Sequence, residues 1–307
     1  MSISVPTRKT IKIDVVSDFL CAWCYIGHIE LEHGMALARA ASLPVDFVVQ
    51  YHPFILHPSL PSDIPITKQA FYERKMGADK WQQTLEIIQG RAKQEGLEFS
   101  FEGVVRQTAR AHRLLQRAYA IGGQTAQQPL LKRLFRAFFE QGRDIGDARV
   151  LAELATASDA ELTFAPATTP RPTASDLDPY KDADPDEGEG GADLGASADD
   201  TVFGKRLFKN RTEAQRWIEG NELDAAVRAA SADAARKGVS GVPFTVIDGR
   251  WAVSGCQAPA CYLKIFEKLA VPQPVNVDLS KAIPALAPDG TKVSVGLVAA
   301  TAAVATS

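Results

Sequence analysis

The chain of 307 residues sets 34 Lys and Arg against 37 Asp and Glu, a formal net charge of −3, with 46% apolar residues. That length suffices for one large domain or two ordinary ones around a substantial core, and the near-neutral charge offers no basic field to hold nucleic acid. No run approaches the roughly 20 apolar residues of a membrane span, and residues 1–10 carry Arg8 and Lys9 without the apolar core of a secretory signal, so a cytoplasmic protein is expected.

The apolar run at 11–16 predicts a first strand. Helical spacing follows over 22–41, and Leu43-Pro44 ends that helix before a second strand over 46–51. Cys21-Ala22-Trp23-Cys24 stands at the junction of the first strand and the first helix. Two thiols separated by two residues in an opening helical turn close a small disulfide ring, and the free backbone N–H groups and positive dipole end there favour a thiolate. Cys21 is then the attacking sulfur, and Cys24, one turn deeper, resolves the mixed disulfide. Two other readings stand beside this one. Half of a zinc site needs two further ligands, and neither His28 nor His33 has a matching pair close by. A pair of inert core thiols is the third reading. Four cysteines in a reducing compartment argue for catalytic rather than structural disulfides.

From 67 to about 161 the pattern is helical, with segments at 68–76, 78–95, 104–122, 129–141 and 148–157 punctuated by Gly96, Gly122-Gly123, Gly142 and Gly146. Between 164 and 200 the composition turns to Pro, Thr, Asp, Glu and Gly with almost no apolar residues. Such a stretch buries too little to offset its ordering entropy, so a disordered acidic loop is expected, with a docking tail for a basic partner as the other reading. Helix resumes at 212–219 and 223–237. Gly241-Val242-Pro243 then introduces the β-branched strand 243–247, where a central strand would reject a proline. A cis bond there would leave the backbone of Val242 pointing outward to pair with an extended peptide; an ordinary trans proline at an edge strand is the alternative. A hairpin strand at 251–253 precedes a helix starting near Pro259. Cys256 and Cys261 lie at that junction, as either a second redox pair or two semi-buried thiols. The segment 271–307 reads as a tail.

Four spaced segments carry a resemblance: Ser17-Asp18-Phe19-Leu20-Cys21-Ala22-Trp23-Cys24-Tyr25-Ile26-Gly27, Tyr51-His52-Pro53-Phe54-Ile55-Leu56-His57-Pro58, Thr108-Ala109-Arg110-Ala111-His112-Arg113-Leu114, and the run from Gly241 to Gly255. Together they resemble the DsbA-like branch of the thioredoxin superfamily, and within it the FrnE-like proteins and 2-hydroxychromene-2-carboxylate isomerases. The resemblance implies an α/β thioredoxin fold with a large helical insertion between the second and third core strands. Its core would be 11–64 and 236–270, and the inserted helical domain 65–235. It implies Cys21 as nucleophile, Cys24 as resolving thiol, Pro243 in cis, and no permanently bound metal or organic cofactor. Trp23, Tyr25, Val242 and His112 are the expected substrate contacts. Protein disulfides or small thiols are the expected partners, with glutathione as co-substrate. Relatives that hold glutathione for isomerase or kappa-type transferase chemistry on small aromatic substrates use serine where this chain has Cys21, which favours thiol-disulfide exchange. The dipeptide Ala22-Trp23 lacks the histidine that helps stabilise the thiolate in DsbA itself.

Overall fold

The structure, a computed structural model, describes residues 8–157 and 207–271; the acidic stretch at 164–200 and the tail from 272 onward lie outside the described residues. Alternation of apolar and polar residues builds the first strand, β1 (Lys9–Ser17), which buries Ile11, Ile13 and Val15 while Thr10 and Lys12 face solvent. After a short loop the chain enters α1 (Ala22–Ala40) and returns as β2 (Val45–Pro53), parallel to β1 in the register Lys9↔Val45 through Ser17↔Pro53. Near the end of the described chain, β5 (Phe244–Ile247) pairs antiparallel with β1, and β6 (Trp251–Ser254) with β5, giving the order β2-β1-β5-β6. Asp248 and Gly249 turn that hairpin, both at positive φ (54° and 64°), as an Asp-Gly pair between two strands predicts. The last helix, α8 (Pro259–Ala270), packs on α1 across Gly34, where a Cβ would stand 2.6 Å from Tyr262 Cβ.

Between β2 and β5 come β3 (Ile66–Thr67), α2 (Lys68–Met76), α3 (Ala78–Gln94), β4 (Val104–Val105), α4 (Ala109–Phe139), α5 (Ala148–Thr156), α6 (Arg211–Glu219) and α7 (Asp224–Arg236). Two expectations are corrected here. Residues 104–105 are not helical but pair antiparallel with β3, and α4 starts at Ala109. The helices expected at 104–122 and 129–141 form one run that breaks at Gly122 and Gly123, whose φ/ψ of 60° and −148° at Gly123 no side chain tolerates well, whereas Pro129 lies inside the second half.

That break aims two glutamines at the edge of the sheet. Gln124 accepts from Val49 N (2.8 Å) and donates to Phe47 O (3.1 Å), while Gln127 accepts from Tyr51 N (2.8 Å) and donates to Tyr51 O (3.0 Å). The outer N–H and C=O groups of edge strand β2 are thereby paired with side chains, and the edge cannot template another strand. One apolar cluster runs from the sheet into the inserted helices. Its hinge is Tyr25 of α1, stacked between Phe135 (5.0 Å) and Phe99 (5.5 Å).

Candidate active site

Cys21 is the N-cap residue of α1, with extended backbone (φ −93°, ψ 108°), and its N–H donates to Asp18 O at 3.2 Å. The side chain is partly exposed, and its Sγ lies 3.3 Å from Val242 O. The sulfur stands at the positive end of α1 and makes no side-chain capping hydrogen bond there. Cys24 sits one turn on and is 2% exposed. Burial above all, and the neighbouring Cys21 sulfur next, push its thiol well above the usual range. Both cysteines are free thiols. The Val242–Pro243 peptide is cis, and Gly255 N donates to Pro243 O at 2.8 Å, tying the loop to the hairpin behind it. Gly27 explains how α1 and this loop come so close: a Cβ there would meet Pro243 Cγ at 3.1 Å and Cys256 Sγ at 3.4 Å.

Asp18 is the fastener of the site. It is wholly buried, its main-chain oxygen takes the Cys21 N–H, its Oδ2 takes the Leu56 N–H at 2.8 Å, and its Oδ1 stands 3.3 Å from His112 Nε2. The cysteine loop, the segment leaving β2 and the start of α4 are thus held by one carboxyl group. His112, expected to touch substrate, is instead 2% exposed behind the loop, its ring 4.9 Å from Phe19. Tyr25 is corrected likewise. It is adjacent to Cys24 in sequence, but one helical residue turns about 100°, which carries its ring into the core; it is 2% exposed and its hydroxyl donates to Glu140 Oε1 at 2.6 Å. Trp23 and Val242 remain partly exposed beside Cys21, packed against the edge of the core. His57 lies further along, half-buried, receiving Lys75 Nζ at 2.7 Å, and His52 pairs with Asp14 at 2.8 Å.

The second cysteine pair is not joined. Cys256 Sγ points at α1 and donates to Trp23 O at 2.8 Å, and burial followed by the Glu30 carboxylate pushes that thiol upward. Cys261 is exposed and lines a groove with Ala252, Val253, Gln257 and Ile265. One contributor escaped the sequence reading: Tyr72 of α2 donates to Leu20 O at 3.0 Å and stacks on Trp81 at 4.4 Å, which carries the insertion up to the cysteine loop. Aromatic residues in the inserted helices were the available signal. Among the described residues, no group of three or more His, Cys, Asp and Glu side chains is placed to hold a metal ion, and no helix is long and apolar enough to cross a membrane.

A four-stranded sheet with a dithiol at the head of α1, facing a proline loop before the antiparallel strand β5, defines a thioredoxin-like α/β protein. The DSBA-like thioredoxin domain matches residues 12–172, more than half of the chain, and the protein belongs to that family. Its fold is similar to that of a probable DsbA oxidoreductase from Streptomyces coelicolor (21% identity, TM-score 0.62, covering 92% of this chain and 99% of that one). It is also similar to a candidate protein disulfide isomerase from Nitrosomonas europaea (15%, 0.50, 85% and 97%). A third solved structure, the cytosolic disulfide reductase DsbM from Pseudomonas aeruginosa with GSH, matches at 17% identity and a TM-score of 0.47, covering 84% of this chain and 98% of that one. No curated protein matches the chain.

Proposed function

We propose that the protein is a thiol-disulfide oxidoreductase in which Cys21 attacks and Cys24 resolves. The observation that carries this reading is the asymmetry of the pair: a partly exposed sulfur at a helix N-terminus on Val242 O, with a buried thiol directly behind it. The Cys21 thiolate attacks a substrate disulfide, forming a mixed disulfide and releasing one substrate thiolate. Cys24 then attacks Cys21 Sγ, the Cys21–Cys24 bond forms, and the second substrate thiolate leaves. Two electrons have passed to the substrate, and two equivalents of a small thiol such as glutathione, as co-substrate, return them to the pair and leave as the small-molecule disulfide. In a cytoplasmic, glutathione-buffered setting the net direction is reduction or isomerisation of protein or small-molecule disulfides, with no permanently bound cofactor. Trp23 and the Val242 backbone flank the incoming disulfide, and Pro243 shapes the loop that presents it.

The test is turnover of insulin and of a glutathione mixed disulfide, with intact mass read on variants. Wild-type protein reduces one of them, Cys24→Ser accumulates a covalent adduct on Cys21, and Cys21→Ser forms none. A wild type that reduces neither substrate sinks the reading, and glutathione conjugation of a small aromatic electrophile by Cys24→Ser would replace it with transferase chemistry.

A further inference from the structure

The resolving thiol must lose a proton from a place that water does not reach, and α1 lays a row of side chains from that place to the surface. Cys24, His28 and Glu32 are spaced i, i+4, i+8 on one ridge of the helix. Exposure rises along it, from 2% at Cys24 and 2% at His28 to a partly exposed Glu32. The Cys24 sulfur is near enough to Tyr51 to be, after burial, Glu32 and Tyr262, one of the causes that push the Tyr51 hydroxyl upward. From the facing strand, Tyr51, 1% exposed, seats its hydroxyl on His28 Nδ1 at 2.6 Å, with the two rings edge to face. The other imidazole nitrogen, Nε2, is buried without a hydrogen-bond partner and faces Glu32 Oε1 at 3.7 Å, a gap that a rotation of the Glu32 side chain or one bridging water closes. Glu32 is held in turn by Lys132 Nζ at 2.7 Å, at the surface of α4.

We propose that Tyr51, His28 and Glu32 are a proton path that carries the Cys24 proton to solvent when Cys24 resolves a mixed disulfide. This rests on the dithiol reading above. The Cys24 thiol rests against Cys21, the Asp18 backbone and Ser17; when it turns from them toward Tyr51, its proton passes to the Tyr51 oxygen as the Tyr51 O–H proton passes to His28 Nδ1 and the Nε2–H proton passes to a Glu32 carboxylate oxygen, which yields it to water. The Cys24 thiolate then displaces the substrate thiolate from Cys21, and the disulfide forms. The charged and titratable groups that face the path are Glu32 on α1, Lys132 on α4, Tyr262 on α8 and Cys24 itself. Their balance suits a neutral carrier, since burial lowers His28 to about 4 and leaves one nitrogen to accept and one to donate. The three residues act through Cys24 and are positioning residues.

The experiment uses Ellman's reagent, a small aromatic disulfide, on the full chain carrying Cys256→Ser and Cys261→Ser, so that only the active pair reports. Cys21 releases a first equivalent of aromatic thiol, and Cys24 releases a second by resolving the adduct. Glu32→Gln and Tyr51→Phe are expected to leave the first release within about twofold and slow the second about tenfold or more. The deficit should shrink as pH rises and hydroxide takes the proton directly, a dependence that a purely structural role would not give. Glu32, at the exposed end, keeps the test decisive if Tyr51→Phe does not fold. A second release unchanged in rate and pH profile overturns the path alone. A single release from the unsubstituted pair overturns the dithiol reading and the path together.

Discussion

Replacing His28 with Asn should change how stability responds to acid. In the folded chain His28 is buried against Tyr51, and burial first, with the Lys132 ammonium adding and the Glu32 carboxylate opposing, lowers it from 6.5 to about 4. A depressed folded value means that the unfolded chain binds the proton more readily. The contribution is therefore fully present above the unfolded value of 6.5 and is lost as pH falls from there toward 4. At about 1.4 kcal/mol per unit, the whole shift is worth about 3 kcal/mol, of which about 2 kcal/mol should vanish between pH values of about 7 and about 5. Glu30 and Glu140, both raised mainly by burial, act in the opposite sense, so the readout is the difference between the two proteins rather than either curve alone. Urea unfolding at a series of pH values measures it: wild type should lose about 2 kcal/mol more than His28→Asn over that window. Parallel curves would refute the argument, and with it the neutral imidazole on which the proton path depends.

Four substitutions probe the frame. Gly34→Ala and Gly90→Ala should have opposite signs: the first drives a Cβ to 2.6 Å from Tyr262 Cβ and costs about 1–3 kcal/mol, while the second, in α3 with nothing within 4 Å, gains about 0.5–1 kcal/mol of helix propensity; thermal midpoints moving the same way would contradict this. Gln127→Leu leaves the buried Tyr51 N–H without its acceptor, while Tyr51 O keeps Gln116 at 2.8 Å, so denaturant unfolding should show a loss of about 1–3 kcal/mol and no larger collapse. Asp18→Ala orphans the Leu56 N–H and removes the partner of His112, costing about 3 kcal/mol and slowing the first thiol release from Cys21; an unchanged release rate would show that the loop holds itself.

The apolar run at 11–16 and the Leu43-Pro44 break made β1 and β2 legible, and helical spacing ending at Gly96 placed α2 and α3 within a residue, because those signals are local. Long-range pairing was not legible. β3 and β4 are two residues each, too short to show any period, and they exist only because the start of α2 meets the loop before α4. Glutamines in a helix read as solvent-facing, yet Gln124 and Gln127 are turned onto β2 by the Gly122–Gly123 break. Lys68 reads as surface charge and is wholly buried. Its ammonium donates to Ser100 O at 3.3 Å and to Phe138 O and lies 4.1 Å over the Phe138 ring, and burial lowers it to about 8. In the site, the Cys21 and Cys24 pair stood out by its spacing, while the cis bond at Pro243 was expected from the resemblance. Asp18 was placed in the neighbourhood by the resemblance alone and Tyr72 not at all, since their importance lies in which backbone groups they hold.

In the proposed mechanism the order of events at the dithiol rests on burial rather than on the spacing of its cysteines. Two thiols stand at the head of one helix, yet only Cys21 has access to solvent, so on the proposed reading Cys21 is the sulfur that an incoming disulfide meets. Burial first and the neighbouring Cys21 sulfur next raise the Cys24 thiol, and in the proposed mechanism a mixed disulfide at Cys21 would remove the second of these causes. Capture of substrate therefore relieves part of what holds the resolving proton in place, and the remaining cost is desolvation, which a row of buried polar groups along α1 is suited to lower. Cys256, a third thiol against the same helix, is pushed upward by burial and by Glu30 and is engaged with Trp23 O. Burial disfavours the thiolates of Cys24 and Cys256 alike, so on the proposed reading it is the position of Cys24, one turn behind Cys21 on the same helix, that makes it the resolving thiol.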